Sequence, residues 1–523
     1  MAQALIAQLM GKRYQAWLFW EKAAHLLLPD TNVAEVRFEE GLRAFDDVVV
    51  HYDPPLASGH QERITHRNIQ AKYHIGPSGA FTIGSFTDPD FIGAEKATLL
   101  SRLGEAYRTL GAENFLRRDF WIVSPWGLHP DDPELRDLWR ENTYRLDTDV
   151  LRQGVQKNSR WVNLRARWCE ATGEVRDDEL LAMISRLRLG YSYGGVAERY
   201  AAFLSDRLRV AGLRPIDPYA AVEPYTDIPW NLHAAGRTRY TRADVQQIAE
   251  ENNLLLAPPE RPVGPRLGIR SRVEWGDQME AECQNLLPLE DLFDRRLLRE
   301  GVSWADVYRR VYTFLRANTQ AGVRKLLELA APITVAFAAG YALPTRDGRP
   351  VFPLQRRRGG EDLWEAVQAD AAPGGWRVHR DEATEAGGPD IALGLALSRG
   401  VWDDMYPFVT RTLPEVGRVI ELYPLAGPEQ ASVKGAGHAI HLATEAESFL
   451  RVVRAQTGGR TAHVFLAVPN AFAFFLGQEG ERLGRCQLYE FDFTGESGGS
   501  YSPSLRIPDH ARELTSRTLA TRT

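Results

Sequence analysis

The C-terminal third of the chain contains four short, almost uninterrupted apolar runs, and this feature restricts the fold most strongly. The runs are PITVAFAAGYAL, DIALGLALS, GRVIELYPLAG and TAHVFLAVPN, with helical segments between them. Strands that are apolar on both faces are typical of parallel sheets covered by helices on both sides. The pattern therefore predicts an α/β fold after residue 330, with two similar halves.

The length of the chain predicts more than one domain. A chain of 523 residues is too long for a single hydrophobic core, so we expect two or three domains. The proline-rich stretch LLLAPPERPVGPRLGIR predicts a boundary or a mobile connection. We expect an N-terminal core over residues 1–150, a helical extension over 151–300 and a C-terminal α/β domain over 301–523.

Composition and charge exclude several classes of protein. The formal net charge of -6 argues against sequence-independent coating of nucleic acid, so any DNA contact must be local. No window reaches eighteen uninterrupted apolar residues, and the first residues show no secretory leader, so we expect a cytoplasmic protein without a membrane segment. The chain has 3 cysteines (Cys169, Cys283 and Cys486), and their wide spacing indicates neither a disulfide framework nor a zinc site.

Element patterns differ between the N-terminal part and the middle of the chain. Apolar residues at helical spacing predict an amphipathic helix over residues 12–28. Three β-rich segments follow at 33–40, 46–53 and 68–75, and two adjacent prolines after the second predict its end and an exposed loop. Residues 92–330 are expected to be mostly helical, and the segments DDELLAMISRLRL and ADVYRRVYTFLRANTQAGVRKLLELA are examples.

Acidic, amide and lysine side chains on neighbouring strands predict a site that hydrolyses phosphodiesters. Such chemistry needs a divalent metal, Mg²⁺ or Mn²⁺, which prefers hard oxygen ligands, and a nearby cation that offsets developing charge. Asp46 and Asp47 open one predicted strand, while Gln70 and Lys72 project from one face of the next. Asp47 and Gln70, or Asp46, would then hold the metal.

Periodicity alone leaves the identity of the metal-binding acid open. We favour Asp47 over Asp46, because the acid in such sites commonly comes just before the apolar body of the strand. Glu39, Glu40 and Glu21 are further candidates for metal ligands or for a general base. The spacing of these residues is weak evidence by itself, since a lysine on a strand is usually a solvated surface residue.

The N-terminal segments resemble a known nuclease family. The runs GKRYQAWLFWEKAAHLL, RFEEGLRAFDDVVVHYD and IQAKYH are similar to the nuclease domain of the SAVED-domain endonucleases, which are effectors of bacterial anti-phage (CBASS) signalling. The resemblance implies a restriction-endonuclease-like α/β/α fold of the PD-(D/E)xK class. It implies that Asp47, or else Asp46, is the metal-binding acid, Gln70 occupies the second acidic position and Lys72 is the catalytic lysine. Because an amide binds Mg²⁺ more weakly than a carboxylate, Glu39 gains importance.

The last 200 or so residues resemble the SAVED domain itself. The matching runs include DIALGLALSRGVWDDMYPFV, RVIELYPLAG and, most specifically, AHVFLAVPNAFAFFLGQ followed by CQLYEFDF. The resemblance implies two fused Rossmann-like (CARF-like) units. It also implies that a cyclic oligonucleotide, made by a CD-NTase, is the activating ligand and drives the formation of a homo-oligomer.

The ends of the predicted parallel strands point independently to a ligand site. Small molecules bind beyond the carboxyl ends of such strands, where helix N-termini present N–H groups to phosphates. Arg399 could pair with a phosphate, and Trp402, Tyr406 or Phe474 could stack on a base, although Phe474 at helical spacing is more often a core residue. The other candidate ligand contacts are Pro469, Asn470, Lys434 and His438.

Three hypotheses of function follow. The first is a double-stranded DNA endonuclease that a cyclic di- or trinucleotide switches on. The second is a catalytically inactive adaptor that binds the cyclic nucleotide and signals by recruitment. The third is a nicotinamide-dependent enzyme, but no GxGxxG motif follows a predicted strand with an acid at the appropriate offset.

Overall fold

The chain forms two compact units in a computed structural model. The structure describes residues 2–510 except 59–61, 74–79, 154–158, 174, 192–196, 217–222, 257–261, 274–278, 358–359, 366–373, 430–431, 459 and 493–499. The first unit contains Met1–Arg261, Val273–Gln284 and Arg358–Gly360, and the second contains Pro262–Arg272, Asn285–Arg357 and Glu361–Thr523. The second unit therefore begins before the expected boundary at residue 301.

One mixed sheet forms the centre of the first unit. Its strands are β1 (Val33–Phe38), β2 (Val48–Ser58), β3 (Glu62–Ala71), β4 (Arg118–Ser124), β5 (Trp139–Arg140), β6 (Arg145–Leu146), β7 (Leu187–Tyr191) and β8 (Arg239–Tyr240). They follow the order β5-β6-β7-β4-β3-β2-β1-β8. The strands β3, β4 and β7 are parallel, whereas β1, β2 and β3 form an antiparallel meander.

Helices cover both faces of this sheet. They are α1 (Ala2–Ala23), α2 (Leu99–Leu116), α3 (Pro133–Leu138), α4 (Thr148–Arg152), α5 (Arg160–Ala171), α6 (Asp177–Ile184), α7 (Ala197–Val210), α8 (Pro224–Ala234), α9 (Arg242–Glu251) and α10 (Met279–Glu282). Trp20 of α1 shares one core with Val50 and Ile69, whereas Leu103 of α2 shares a second core with Phe120. The α/β/α architecture expected for the N-terminal domain is thus confirmed.

Several predicted elements of the first unit are wrong. Strand β2 continues through Pro54 and Pro55, because they occupy an irregularity between the pairs His51↔His66 and Leu56↔Ile64, where no ladder hydrogen bond is required. Strands β4 and β7 lie in the region expected to be mostly helical. The apolar pattern of DDELLAMISRLRL changes from helix α6 to strand β7, a change that periodicity over so few residues does not reveal.

The second unit contains two larger sheets and one small hairpin. Its strands are β9 (Arg266–Arg270), β10 (Asn285–Pro288), β11 (Phe293–Asp294), β12 (Leu297–Leu298), β13 (Lys325–Ala330), β14 (Val351–Arg357), β15 (Gly360–Leu363), β16 (Trp376–Ala383), β17 (Asp390–Ala396), β18 (Val416–Pro424), β19 (Ala462–Ala467), β20 (Cys486–Asp492) and β21 (Ser500–Ile507). The sheet orders are β10-β9-β13-β14-β15 and β16-β18-β17-β19-β20-β21. The pairs β10/β9, β9/β13, β13/β14, β18/β17, β17/β19 and β19/β20 are parallel. Two Rossmann-like halves, as expected, make up this unit.

Two apolar segments of the second unit have the opposite structure to the predicted one. The helices are α11 (Trp304–Asn318), α12 (Ile333–Ala342), α13 (Trp402–Thr412), α14 (Ala436–Thr457), α15 (Asn470–Gln478) and α16 (Gly480–Leu483). PITVAFAAGYAL was predicted as a strand but forms α12, and KLLELA was predicted as the end of a helix but forms β13. Both are buried on several sides, so their composition does not distinguish helix from strand.

Helices α12 and α15 cross at two reciprocal glycines. Each helix follows a parallel strand and a proline, and each has the same spacing of Ala, Phe and Gly after that proline. A Cβ atom added to Gly340 would lie 1.8 Å from the carbonyl oxygen of Phe474, and one added to Gly477 would lie 2.1 Å from that of Phe337. The two halves therefore meet about an approximate two-fold axis that allows only glycine at both positions.

The same symmetry governs the N-termini of these two helices. The amide of Thr334 on α12 donates to Glu490 Oε1 at 2.6 Å, and that of Ala471 on α15 donates to Gln355 Oε1 at 3.3 Å. Glu490 lies on β20, in the half that contains α15, and Gln355 lies on β14, in the half that contains α12. Each half thus caps the helix of the other.

Replacing either crossing glycine should destabilise the second unit. In Gly340→Ala or Gly477→Ala the helices must separate, and overpacking of this kind costs about 1–3 kcal/mol or more. Thermal unfolding should show a lower midpoint for both variants. Gly127→Ala is the control, because its new Cβ would meet the Tyr191 ring at an ordinary 3.7 Å. Unchanged midpoints for both glycine variants would contradict the close crossing.

Candidate functional site

Asp47, which directly precedes β2, lies beside Gln70, which is near the C-terminal end of β3. The antiparallel register pairs Val48 with Ile69, so the preceding Asp47 falls next to Gln70. Gln70 Nε2 and the amide of Ala71 both donate to Asp47 Oδ2 at 2.6 Å. Asp47 is buried, at 4% exposure, so its carboxylate is held in one orientation by the neighbouring strand.

Lys72 follows β3 directly and joins this group of acids. Its amide donates to the carbonyl of Val123 on β4 at 2.7 Å, and its Nζ donates to the carbonyl of Ile92 at 3.2 Å. Burial lowers the pKa of Lys72, whereas the negative charges of Asp47, Asp46 and Glu39 oppose that shift. Lys72 is therefore a half-buried lysine whose positive charge is favoured by three nearby carboxylates.

Glu39 completes the group, which we call the acid cluster (Glu39, Asp46, Asp47, Gln70 and Lys72). Its backbone is in the left-handed region, with φ of 52°, and its amide donates to the carbonyl of Asp47 at 3.0 Å. Glu39 Oε1 is buried and has no hydrogen-bond partner among the described residues. Burial, and then the charges of Asp47 and Asp46, raise the pKa of Glu39 to about 8.

The two aspartates of the cluster are also poorly solvated. Burial raises the pKa of Asp47 to about 6, although Lys72 and the hydrogen bonds from Ala71 and Gln15 oppose it. Burial likewise raises the pKa of Asp46. Three carboxylates thus crowd around one lysine, with less positive charge than the three would need if all were ionised.

A hard divalent cation fits this set of donors. Mg²⁺ and Mn²⁺ bind carboxylate and amide oxygens, and the crowded carboxylates and the unpartnered oxygen of Glu39 are what such an ion would compensate. The oxygens of Asp47, Asp46 and Glu39 are the candidate ligands of such an ion. The amide nitrogen of Gln70 already points to Asp47, so only its carbonyl oxygen could serve as a ligand.

Gln15 on α1 is a member of the site that sequence reasoning missed. Its side chain is hydrogen-bonded to Asp47 and is half-buried. The sequence feature that could have identified Gln15 is its position three residues before Leu18, beside the apolar face of the predicted helix. A polar side chain there can reach the end of the sheet.

Two glutamates that the sequence offered as extra ligands are engaged elsewhere. Glu21 is fully buried, 2.6 Å from Lys22 Nζ, and accepts a hydrogen bond from the Tyr200 hydroxyl at 2.8 Å. Glu40 pairs with Arg239 at 2.5 Å. Their carboxylates are committed to these partners, so we do not assign them to the acid cluster.

The opposite face of β3 is anchored by buried ion pairs. Arg67 Nη2 lies 2.5 Å from Glu280 Oε2 and 3.6 Å from Asp119 Oδ2, and Arg188 Nη2 lies 3.2 Å from the same Asp119 oxygen. Trp121 packs against both guanidinium groups. Because one partner of a buried ion pair cannot be removed cheaply, these contacts hold in place the strand that carries Gln70.

Most candidate ligand contacts in the second unit follow the carboxyl ends of parallel strands, but their side chains have varied surroundings. Arg399 pairs with Asp404 at 2.8 Å, and its guanidinium lies over the ring of Phe491. Trp402 is buried and stacks on Tyr406, with ring centroids 4.9 Å apart. Arg399 thus already pairs with a carboxylate at the surface, whereas Trp402 mainly packs in the protein.

The residues after β19 are structural in character. Asn470 Nδ2 donates to the carbonyls of Leu329 and Ala331, both at 3.2 Å, and Pro469 precedes the first turn of α15. Phe474 is completely buried at the helix crossing. It is therefore a core residue, as its helical spacing predicted. We therefore omit these three residues from the ligand site.

The N-terminus of α14 differs from those of the other long helices of the second unit. At α13, the amides of Val401 and Trp402 donate to Glu421 Oε1. The side chain of Ser303 caps α11, and α12 and α15 have the reciprocal caps described above. At α14, Gly435 is the N-cap residue, with φ of 127° and no side-chain cap. Lys434 is exposed beside this end, and its amide donates to Nδ1 of the buried His438 at 3.3 Å.

Comparison with known proteins identifies the family. The model of the family described as "SMODS-associated and fused to various effectors sensor domain" (SAVED) matches residues 307–507. CD-NTase-associated protein 4 from Enterobacter hormaechei subsp. hoffmannii (strain UCI 50) is 30% identical over 517 residues, which cover 97% of this chain and 100% of that protein. The chain belongs to the CD-NTase-associated protein 4 family.

Solved structures of Cap4 receptors also match this chain, at low sequence identity. The Acinetobacter baumannii Cap4 SAVED/CARF-domain containing receptor with the cyclic trinucleotide 2'3'3'-cAAA is 14% identical, with a TM-score of 0.34, and the match covers 94% of this chain and 97% of that chain. The Moraxella osloensis Cap4 receptor is 13% identical, with a TM-score of 0.32 and coverage of 95% and 99%. The resemblance to CBASS effectors with a C-terminal SAVED domain is confirmed by the family assignment.

Among the described helices of this family member, none combines the length and the apolar composition that crossing a membrane requires.

Glu39→Gln should stabilise the metal-free protein increasingly as pH rises. The folded-state pKa of about 8 lies above the ordinary value of 4.5, so the folded state binds the proton more tightly than the unfolded chain. Stability is therefore lost as pH rises through this interval, and glutamine does not titrate. Thermal unfolding in EDTA should show a positive difference between the variant and the parent that is small near pH 4.5 and grows toward pH 8.

Adding Mg²⁺ should reduce this difference, because a bound cation favours the carboxylate of the parent. Glu95→Gln, which changes an exposed carboxylate in the same unit, serves as the control. A difference that does not vary with pH would contradict the crowding of Glu39 by Asp46 and Asp47.

Proposed function

We propose that this protein is a metal-dependent endonuclease that cleaves double-stranded DNA when a cyclic oligonucleotide occupies its SAVED domain. The observation that carries the proposal is the acid cluster, in which Asp47, Gln70 and Lys72 meet with Glu39 and Asp46 at the end of β2 and β3. The family assignment supports a role in anti-phage defence.

The chain's own side chains have separate tasks in this proposal. When bound, Mg²⁺ or Mn²⁺ polarises the scissile phosphate and lowers the pKa of a water molecule. Gln70 and the Ala71 amide hold Asp47 in place, so the carboxylate needs no reorientation when substrate arrives. Lys72 can donate a hydrogen bond to a phosphate oxygen and offset the negative charge that develops there.

The ligand site that we propose lies at the N-terminus of α14. This end presents backbone N–H groups without a side-chain cap, and Lys434 supplies a positive charge beside them. A helix N-terminus favours a phosphate through its N–H groups and its dipole. Arg399, which follows the neighbouring strand β17 at the same edge of the sheet, can contribute a second cation.

Activation requires that the ligand bind one state of the protein better than another. We propose that this state is a homo-oligomer formed when the sensor domains bind ligand. An acidic chain with a formal charge of -6 binds DNA weakly as a monomer, which favours cleavage only after assembly. The competing function is an inactive adaptor that binds the same ligand and acts by recruitment.

Lys72→Ala should abolish DNA cleavage without changing ligand binding. The expected loss of rate is at least about 100-fold, because the variant lacks the cation that stabilises the phosphate in the transition state. The measurement is plasmid cleavage with Mg²⁺ or with EDTA, across a panel of cyclic oligonucleotides that includes 2'3'3'-cAAA and 3'3'3'-cAAA.

Lys96→Ala removes an exposed lysine of the same unit and should cleave like the parent. Calorimetry should give the same ligand affinity for the parent and for both variants. Equal cleavage by Lys72→Ala and the parent would exclude the active-site assignment. Ligand binding by a parent that never cleaves DNA would favour the adaptor.

Lys434→Ala should weaken the binding of the activating oligonucleotide about tenfold or more, since a charge-assisted hydrogen bond contributes about 1.5–3 kcal/mol. The control is Arg451→Ala on the same helix, because this exposed cation lies far from the N-terminus and pairs with Glu447. Isothermal titration with both variants gives the two affinities. An equal loss in both would argue against a phosphate at the N-terminus of α14.

A further inference from the structure

A row of polar side chains crosses four strands of the first unit. The register pairs Glu35 with His51, His51 with His66, and His66 with Arg118, on β1, β2, β3 and β4. Side chains separated by an even number of residues share a face of a strand. His66 is four residues from Gln70, so the row lies on the face of the sheet that carries the acid cluster.

The row contains more positive than negative charge. Arg37 Nε pairs with Glu35 Oε1 at 2.7 Å, and Arg118 Nη1 donates to Asn68 Oδ1 at 3.4 Å. Arg117, the C-cap residue of α2 just before β4, is exposed next to the row, and its charge acts on His66. In the part of the chain that the structure describes, neither Arg117 nor Arg118 forms an ion pair with a carboxylate. Glu35 is the carboxylate of the row, and it pairs with Arg37.

The histidines of the row show the effect of this charge. Their rings are stacked, with centroids 4.6 Å apart and an angle of 25° between the planes. Burial lowers the pKa of His66 to about 3, and the charges of Arg118, His51, Arg37 and Arg117 act in the same direction. The neighbouring arginines thus oppose a further positive charge at His66, although the whole chain is acidic.

We propose that this basic row (Arg37, His51, His66, Arg117 and Arg118) binds backbone phosphates of the DNA substrate at a distance from the bond that is cut. The inference rests on the proposed function and names the surface that holds its substrate. Four residues of β3 span about 13 Å, which corresponds to roughly four phosphates of one DNA strand along the helix axis. Arginine suits this role, because its planar guanidinium can donate two parallel hydrogen bonds to a phosphate.

The positions of the two charged regions agree with such a binding mode. The acid cluster repels DNA unless a metal ion is bound, so the duplex needs positive charge elsewhere on the same face. Arg37 on β1 and Arg118 on β4 supply that charge on the two strands that flank β2 and β3, and β3 carries Gln70 toward the reacting phosphate. Register along the DNA is then fixed by contacts that carry no sequence information.

The test measures DNA binding and its dependence on salt in the inactive Lys72→Ala protein. A fluorescent duplex of about 20 base pairs is titrated, with the cyclic oligonucleotide that activates the parent, across a range of salt concentrations. Each phosphate contact that is lost should lower the slope of log K against log salt by about 0.9. Arg118→Gln and Arg117→Gln should each show this loss and bind several-fold more weakly at low salt.

Two further variants distinguish a charge effect from a structural one. Arg118→Lys keeps the charge and should keep most of the slope, whereas a merely structural arginine would not be rescued by lysine. Arg152→Gln removes an exposed arginine of the same unit that pairs with Asp149, and it should bind DNA like the parent. If Arg118→Gln does not fold, the exposed Arg117→Gln carries the test.

The outcomes separate this inference from the proposed function. Unchanged slopes in both glutamine variants, together with ligand-dependent cleavage by the protein that retains Lys72, would overturn the basic row and leave the nuclease in place. If that protein neither binds nor cuts DNA with any cyclic oligonucleotide, the proposed function and the basic row both fail. A smaller slope of log K against log salt in the two glutamine variants, but not in Arg118→Lys or Arg152→Gln, would establish that the basic row binds DNA phosphates.

Discussion

The antiparallel register between β2 and β3 is the constraint on which the candidate active site depends. It pairs Val48 with Ile69 and thereby puts Asp47 within 2.6 Å of the Gln70 amide. A shift by one residue would turn the two side chains to opposite faces of the sheet. The register is held on one face by apolar packing and by the buried pairs of Arg67 with Glu280 and Asp119. The relative positions of the side chains in the acid cluster are therefore fixed by the packing of the sheet.

The same sheet separates two opposite electrostatic requirements. At one end, Glu39, Asp46 and Asp47 are crowded carboxylates that are stabilised by a cation. Farther along the strands, the charges of Arg118, Arg37 and Arg117 act on His66 and would be offset by an anion. In the proposed function, a divalent metal ion and a DNA backbone would satisfy both. The proposed function would thus let an acidic chain bind nucleic acid locally.

In the second unit, the presence of two similar halves explains how helices α12 and α15 pack and how their N-termini are capped. Reciprocal glycines bring α12 and α15 together, and the buried Glu490 and Gln355 cap them from opposite halves. Glu421 caps α13 in a similar way. These N-termini lie at strand ends where a phosphate is generally expected, yet their N–H groups already have partners. The uncapped end of α14, beside Lys434, consequently becomes the best candidate for a ligand phosphate.

The sequence by itself determined the fold class, the family and the identity of most cluster residues. Strand patterns flank Asp46, Asp47, Gln70 and Lys72, and side-chain alternation is a local property of a strand. Tertiary structure alone decided that Gln15 joins Asp47, that Glu21 and Glu40 do not, and that PITVAFAAGYAL is a helix. It also decided that Phe474 and Asn470 support the halves rather than face a ligand. The physical reason is that ion pairing, capping and helix crossing join residues far apart in the chain, and local periodicity contains no information about such partners.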